Sequence, residues 1–93
     1  MQERDRELAR KKAMLTQSEK RIAELDVLFT RIYEDNVSGK LSDERFIKMS
    51  HDYELEQANL KAAAEEIRKD LKQQEKQKVN VNSFLTAVRK YTD

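Results

Sequence analysis

Apolar residues recur at seven-residue intervals in the first third of the chain. The residues of this stripe are Leu8, Leu15, Ile22, Leu25, Phe29 and Ile32. Their spacing is the a/d pattern of a coiled coil, in which one apolar side of a helix packs against another helix. Lys11 and Ser18 occupy the first two d positions, so the pattern starts weakly and strengthens toward Phe29.

A second stripe with the same spacing occupies the middle of the chain. Its residues are Phe46, Met49, Tyr53, Leu60, Ile67 and Leu71. We place Met49 and Ala63 at d positions of this stripe, where Glu56 and Asp70 interrupt the apolar pattern. Each stripe needs a partner, so the sequence predicts two helices that cover each other's apolar side.

The segment between the stripes collects the residues that end helices. Gly39, the only glycine, suits the left-handed position after a helix, and Ser42 suits the N-cap of the next one. We therefore predict an all-α fold, an antiparallel two-helix coiled-coil hairpin with helices over about 2–37 and 43–78 and a turn over 38–42. A parallel dimer of one long helix is the less favoured alternative, because Gly39 would have to stay helical.

Residues 79–93 differ in character from the polar segment before them. Asn80 or Asn82 suits the N-cap of a short C-terminal helix. Its apolar residues at helical spacing are Phe84, Leu85, Val88 and Tyr91. The surface between the hairpin helices offers this helix no obvious partner, so it either packs across the open end of the hairpin or belongs to a domain or second chain not included here. We divide the chain into a hairpin, 1–78, and a short C-terminal helix, 79–93, that leads to a domain not present.

The composition supports solvated helices and excludes a thick globular core. Charged residues make up 40% of the 93 residues and aromatic residues 6%, whereas globular domains are typically about 25% charged. The absence of cysteine excludes disulfides and thiolate zinc sites. With no apolar run that suits a signal peptide or a membrane span, we expect a cytoplasmic chain without membrane contact.

Candidate chemistry is sparse. His51 is the only histidine, and no nucleophile or phosphate-loop motif occurs. Numbered as an EF-hand around Gly39, the turn places Arg45 where calcium needs a bidentate glutamate. We predict that the chain has no catalytic, metal-binding or cofactor-binding residue and takes no small-molecule substrate.

The net charge of +1 conceals two unlike regions. Residues 22–64 sum to −4 and the rest of the chain to +5. In a hairpin, the end that carries the turn is then acidic and the open end mildly basic, which disfavours a phosphate-binding tip. A nucleic-acid-binding arm and a generic coiled-coil scaffold or adaptor remain alternatives, and we expect DNA contact only through domains absent here.

Several apolar residues near the turn lie outside the two stripes, which together form the contact between the helices that we call the seam. They are Val27, Leu28, Tyr33, Val37, Leu41, Ile47 and Leu55. Gathered near one end, they are candidates for a partner surface, either for self-association or for another subunit. For Leu28, Tyr33 and Leu41, an equally favoured interpretation is that they widen the seam.

Part of this sequence resembles a known family. The run RIAELDVLFTRIYEDNVSGKLSDERF at 21–46, YELEQ at 53–57, FL at 84–85 and VRKYTD at 88–93 are similar to the coiled-coil region of large serine recombinases. These are integrases and transposases of bacterial mobile elements and phages. The likeness covers most of the chain from about Leu15 onward.

The resemblance implies a non-catalytic role for this segment. In that family, other domains supply the serine nucleophile and the zinc ribbon that binds DNA, and neither has matching positions here. Coiled coils of different subunits contact one another and control synapsis. The resemblance thus implies a protein-interaction arm in site-specific DNA recombination.

Overall fold

The computed structural model consists of two long helices joined by a short turn. Helix α1 is Gln2–Val37 and helix α2 is Asp43–Thr92. The structure describes residues 2–92, with the side chains of residues 3–76 and of Leu85. The two helices lie side by side in an extended shape of 77 × 21 × 15 Å. The predicted all-α hairpin is confirmed, and no strand occurs in the described chain.

The end of α1 depends on the backbone conformation of Gly39. Its φ is +85°, in the left-handed region that side chains with a Cβ rarely adopt. The N–H of Gly39 donates to the carbonyl of Asn36 at 3.1 Å, and the N–H of Leu41 donates to that of Asp35 at 3.0 Å. These bonds satisfy carbonyls that the last turn of a helix otherwise leaves unpaired.

The start of α2 is capped by Ser42, as predicted. Its hydroxyl oxygen accepts a hydrogen bond from the N–H of Arg45 at 3.2 Å. Asn36 then ties the two helix ends together, because its amide donates to the carbonyl of Leu41 at 3.1 Å and to Asp43 Oδ1 at 2.7 Å. The turn is therefore held by side chains from both helices.

The predicted apolar stripes face each other. Leu25 and Ile32 are buried, at 1% and 6% exposure. The other predicted core residues are half-buried: Leu8, Leu15, Ile22, Phe29, Phe46, Met49, Tyr53, Leu60, Ile67 and Leu71. Two helices exclude water only from the strip between them, so most side chains of this seam keep an exposed edge.

One row of interface residues on α2 is shifted by one position from the predicted d positions. Ala64 is fully buried, whereas Ala63, which we placed at d, is exposed. Beside the row through Phe46 and Tyr53, α2 therefore presents a second row to α1, which we call its second interface stripe: Ser50, Gln57, Ala64 and Leu71. The shift moves Glu56 and Asp70 from the interface to its edge, where carboxylates remain hydrated and avoid the cost of burial.

Aromatic rings pack together beside the turn. The ring centroid of Phe46 lies 6.5 Å from that of Phe29 and 6.3 Å from that of Tyr33, both in edge-on arrangements. At the open end, Lys11 of α1 reaches Asp70 of α2. Residue numbers thus rise along α1 as they fall along α2, which is the antiparallel arrangement predicted for the hairpin.

Helix α2 continues without interruption to Thr92. Segment 79–92 is helical as predicted, but as the last part of α2 rather than as a separate helix capped at Asn80 or Asn82. No glycine or proline follows residue 43, and asparagine inside a helix costs less than about 1 kcal/mol. Leu85 is 50% exposed, and the side chains of Phe84, Val88 and Tyr91 lie outside the described residues.

Candidate protein-interaction site

A two-point ion pair joins the helices near the middle of the hairpin. Arg21 Nε donates to Glu56 Oε2 at 2.6 Å, and Nη2 donates to Oε1 at 3.2 Å. This hydrogen bonding, together with the positive charge, lowers the pKa of the Glu56 carboxyl, while desolvation opposes the change. The same contact raises the pKa of Arg21. Two parallel bonds fix the relative position of both side chains.

Two further ion pairs connect the helices toward the open end. Arg68 Nη2 lies 2.9 Å from Glu19 Oε1, and Lys11 Nζ lies 3.5 Å from Asp70 Oδ2. The hydrogen bond to Glu19 raises the pKa of Arg68. Among the described side chains, no salt bridge lies within residues 25–55, which we call the turn end.

At the turn end, apolar side chains occupy edge positions that charged residues occupy elsewhere. Tyr33 follows Glu19 by two seven-residue steps, and Ile47 precedes Arg68 by three. They therefore lie on the side of the hairpin that carries the Glu19–Arg68 pair. Tyr33 is 57% exposed, Ile47 66%, and Val37, one turn after Tyr33, 70%. We name Tyr33, Val37 and Ile47 the tip patch.

An open groove of about 370 Å³ adjoins the tip patch. It is lined by Leu25, Asp26, Phe29, Thr30, Tyr53, Glu54 and Gln57. Asp26 precedes Tyr33 by seven residues, and Glu54 follows Ile47 by seven. Helical periodicity therefore places the groove and the tip patch on one side of the hairpin, which we call the groove side.

Two polar side chains, Ser50 and Gln57, lie among the half-buried residues of α2, and Gln57 also lines this groove. Gln57 Nε2 donates to the main-chain carbonyl of Ile22 at 3.2 Å and to Asp26 Oδ1 at 2.8 Å, and so fixes the register of α2 on α1. The buried hydroxyl of Ser50 has no hydrogen-bond partner among the described residues. An unpaired buried hydroxyl costs about 1–3 kcal/mol. The seam next to the tip patch is therefore less stable than a fully apolar one.

Two of the predicted surface residues are exposed but lie away from the tip patch. Val27 and Leu55 are 56% and 55% exposed. Val27 comes two residues after Leu25, and Leu55 two after Tyr53, so each is turned about 200° from a residue that faces the other helix. Val27 and Leu55 therefore project from opposite outer edges of the hairpin.

The other two predicted surface residues are half-buried. Leu28 follows Arg21 by seven residues and lies with the Arg21–Glu56 pair, across the seam from the groove side. Leu41 is held in the turn by its own N–H and carbonyl. Of the seven candidates, Tyr33, Val37 and Ile47 are the ones that are exposed and that helical periodicity places on one side of the hairpin.

The acidic and histidine side chains of the described residues do not gather at one point. Within the described residues, no three His, Asp or Glu side chains come close enough to hold a metal ion. His51 is exposed on α2. In the turn, the hydroxyl of Ser38 donates to the carbonyl of Asp35 at 3.2 Å and so serves the turn itself.

None of the described helices combines the length and the apolar character that a membrane span requires.

The sequence prediction did not include Asp26 and Glu54 in the site. A signal for them exists, because each lies seven residues from a member of the tip patch. This spacing identifies Asp26 and Glu54 only when Ala64, rather than Ala63, is placed at the interface of α2. With Ala63 at the interface, Ile47 is assigned to the outer surface and its relation to Tyr33 is lost.

Comparison of the chain with protein-family models, curated proteins and solved structures finds no match. The grounds for assigning a function are therefore the geometry of the tip patch and the sequence resemblance.

Proposed function

We propose that this chain is a non-catalytic protein-interaction arm of a large serine recombinase. In this role, the tip patch contacts another recombinase subunit during site-specific DNA recombination. The two paired helices hold the patch away from the open end, about 50 Å along α1 at 1.5 Å per residue. DNA binding and strand cleavage belong to other domains of the parent protein.

The observation that carries this proposal is the exposure of the tip patch. Tyr33, Val37 and Ile47 are each more than half exposed and share one side of the hairpin. Edge positions closer to the open end carry ion pairs, so apolar residues here are not required by the coiled coil itself. Clustered apolar side chains on a narrow helical arm are typical of a surface that binds another protein.

The sequence resemblance gives the proposal its biological setting. Its most specific part, IYEDNVSGKLSDERF at 32–46, surrounds the turn and includes Tyr33 and Val37. The segment that resembles recombinases thus contains two of the three residues of the tip patch and ends one residue before the third, Ile47. This coincidence favours a recombinase arm over a generic scaffold.

The proposal is tested by substituting one residue of the tip patch in the full-length protein encoded by the surrounding reading frame. We expect Ile47→Glu to reduce formation of the synaptic complex at least tenfold, because a charge is then buried in an apolar contact. Binding of the protein to a single attachment site should be unchanged. Gel-shift assays with one and with two DNA sites measure both quantities.

The matched control is Leu55→Glu. Leu55 is exposed to a similar degree but projects from the outer edge of α2, so synapsis should stay at the wild-type level. Equal loss with both substitutions, or no loss with Ile47→Glu, contradicts a role for the tip patch. A reading frame without a resolvase-type catalytic domain and zinc-ligand cysteines contradicts the recombinase assignment.

A further inference from the structure

Carboxylates border the tip patch on the groove side. Asp26 and Glu54 line the groove next to it, and Asp43 lies one turn before Ile47 on α2. Asp26 and Asp43 accept hydrogen bonds from Gln57 and Asn36, which are uncharged amides. In the described structure none of the three forms a salt bridge, so their negative charge is not neutralised within the hairpin.

Within the turn end, the basic side chains of the two helices do not project toward the groove side. Arg31 and Arg45 lie two residues before Tyr33 and Ile47, and Lys48 lies one after Ile47. Such offsets turn a side chain by about 100–200° around its helix. The tip patch is therefore an apolar surface with a one-sided acidic border, and it lies within residues 22–64, whose net charge is −4.

We propose that the tip patch receives a cationic amphipathic helix of another subunit, whose apolar stripe is flanked by Lys or Arg. This inference rests on the proposed interaction function and names the chemistry of the partner. The apolar stripe covers Tyr33, Val37 and Ile47, while flanking cations neutralise Asp26, Asp43 and Glu54. Opposite charges on the two surfaces accelerate association and select against wrong partners.

A second copy of the same tip is a poorer occupant. Two tip patches in contact would bring two sets of these carboxylates together without added cations. Like charges placed across an interface oppose binding. The charge of the border therefore distinguishes between a cationic partner and a homotypic contact, although both would cover the same apolar residues.

The test uses this chain and a synthetic 18-residue helical peptide composed of Leu and Lys, with Leu at helical spacing. The control peptide replaces every Lys by Glu. We expect saturable one-to-one binding of the Leu/Lys peptide by calorimetry, weakening as salt rises from 50 to 300 mM. Amide NMR shifts should concentrate at the tip patch, and the Leu/Glu peptide should not bind.

Substitutions separate the apolar and the charged contributions. Ile47→Glu should weaken binding at least tenfold, because an apolar contact is lost. Glu54→Lys should weaken it about fivefold, as an exposed pair is replaced by repulsion. Glu66→Lys changes the same charge far from the patch and should have little effect. Circular dichroism checks that each variant remains helical.

The results distinguish this inference from the function on which it rests. Equal binding of both peptides, or NMR shifts away from the tip patch, overturns the cationic partner. Self-association that depends on Ile47 and strengthens with salt also overturns it, in favour of a second copy, while leaving the interaction function intact. If Ile47→Glu leaves formation of the synaptic complex unchanged, the proposed interaction function itself is wrong.

Discussion

Single side chains determine how the two helices are aligned. Gln57 reaches both a main-chain carbonyl and a carboxylate of α1, and Arg21 holds Glu56 by two hydrogen bonds. These contacts join particular positions, whereas an apolar stripe alone tolerates sliding by one heptad. The polar residues of the seam therefore contribute specificity where the small apolar core contributes little.

The Arg21–Glu56 pair predicts a dependence of stability on acid. Contact with Arg21 lowers the pKa of Glu56 in the folded chain below the ordinary value of 4.5. The stabilising contribution is therefore present above that value and is lost as the pH falls through the lowered pKa. We expect the melting temperature to fall less between pH 7 and pH 3 in Glu56→Gln than in the wild type.

A suitable control for this measurement is Glu66→Gln. Glu66 forms no salt bridge with another described residue, so its removal should leave the wild-type pH profile unchanged. If Glu56→Gln and the wild type lose stability in parallel, the pair makes no net contribution. Thermal melts followed by circular dichroism at each pH give the comparison.

At the scale of elements, each helix contributes one apolar stripe and one mixed stripe to the interface. On α1, the stripe through Leu15 and Ile22 is apolar, whereas the other holds Lys11 and Ser18 beside Leu25 and Ile32. On α2, the stripe through Phe46 and Tyr53 is apolar, but the second one is mixed: Ser50, Gln57, Ala64 and Leu71. Each helix thus packs one mixed stripe against the other, and in that of α2 the small side chain of Ala64 is fully buried.

The burial of Ala64 predicts a sharp contrast with its neighbour. Ala64→Leu should destabilise the hairpin by about 1–3 kcal/mol, because added methylenes have no space in a filled interface. Ala63→Leu adds the same volume on the exposed side and should change the free energy of unfolding by less than about 0.5 kcal/mol. Denaturant titrations measure both. Equal effects would contradict the interface stripe described for α2.

The sequence was sufficient for the helices, the turn and the stripes of α1. Gly39 and Ser42 mark the helix ends by their backbone and capping chemistry, which depends on local residues. The second stripe of α2 was not predictable in this way. Met49 and Ala63 make the neighbouring stripe equally apolar, and the contact of Gln57 with Ile22 depends on the partner helix. The same long-range information decides which exposed residues gather as the tip patch.

At the scale of the whole molecule, the hairpin doubles the chain back on itself. The longest dimension is 77 Å, while a single uninterrupted helix of 93 residues would be about 140 Å long. Folding back places the acidic region of the sequence at one end and the basic regions at the other. The charge segregation read from the sequence thus becomes a difference between two ends of a rod.

X-ray scattering provides a direct check of this shape. For dilute chain, we expect a maximum dimension near 77 Å and a radius of gyration close to the Cα value of 21.9 Å. A parallel dimer of continuous helices would give a dimension of about 140 Å and twice the molecular mass. Replacing residues 38–42 by a helix-forming segment should change the scattering profile from that of the hairpin toward that of the parallel dimer.

The length of the rod has a mechanical consequence for the contact at its end. Because the tip patch lies far from the open end, a tilt of a few degrees at the base sweeps the patch through several ångströms. In the proposed recombinase arm, small rotations of the domain that supports the open end would therefore become large displacements of the apolar side chains. The stiffness of that attachment, rather than any change within the helices, would then decide whether the patch meets another subunit.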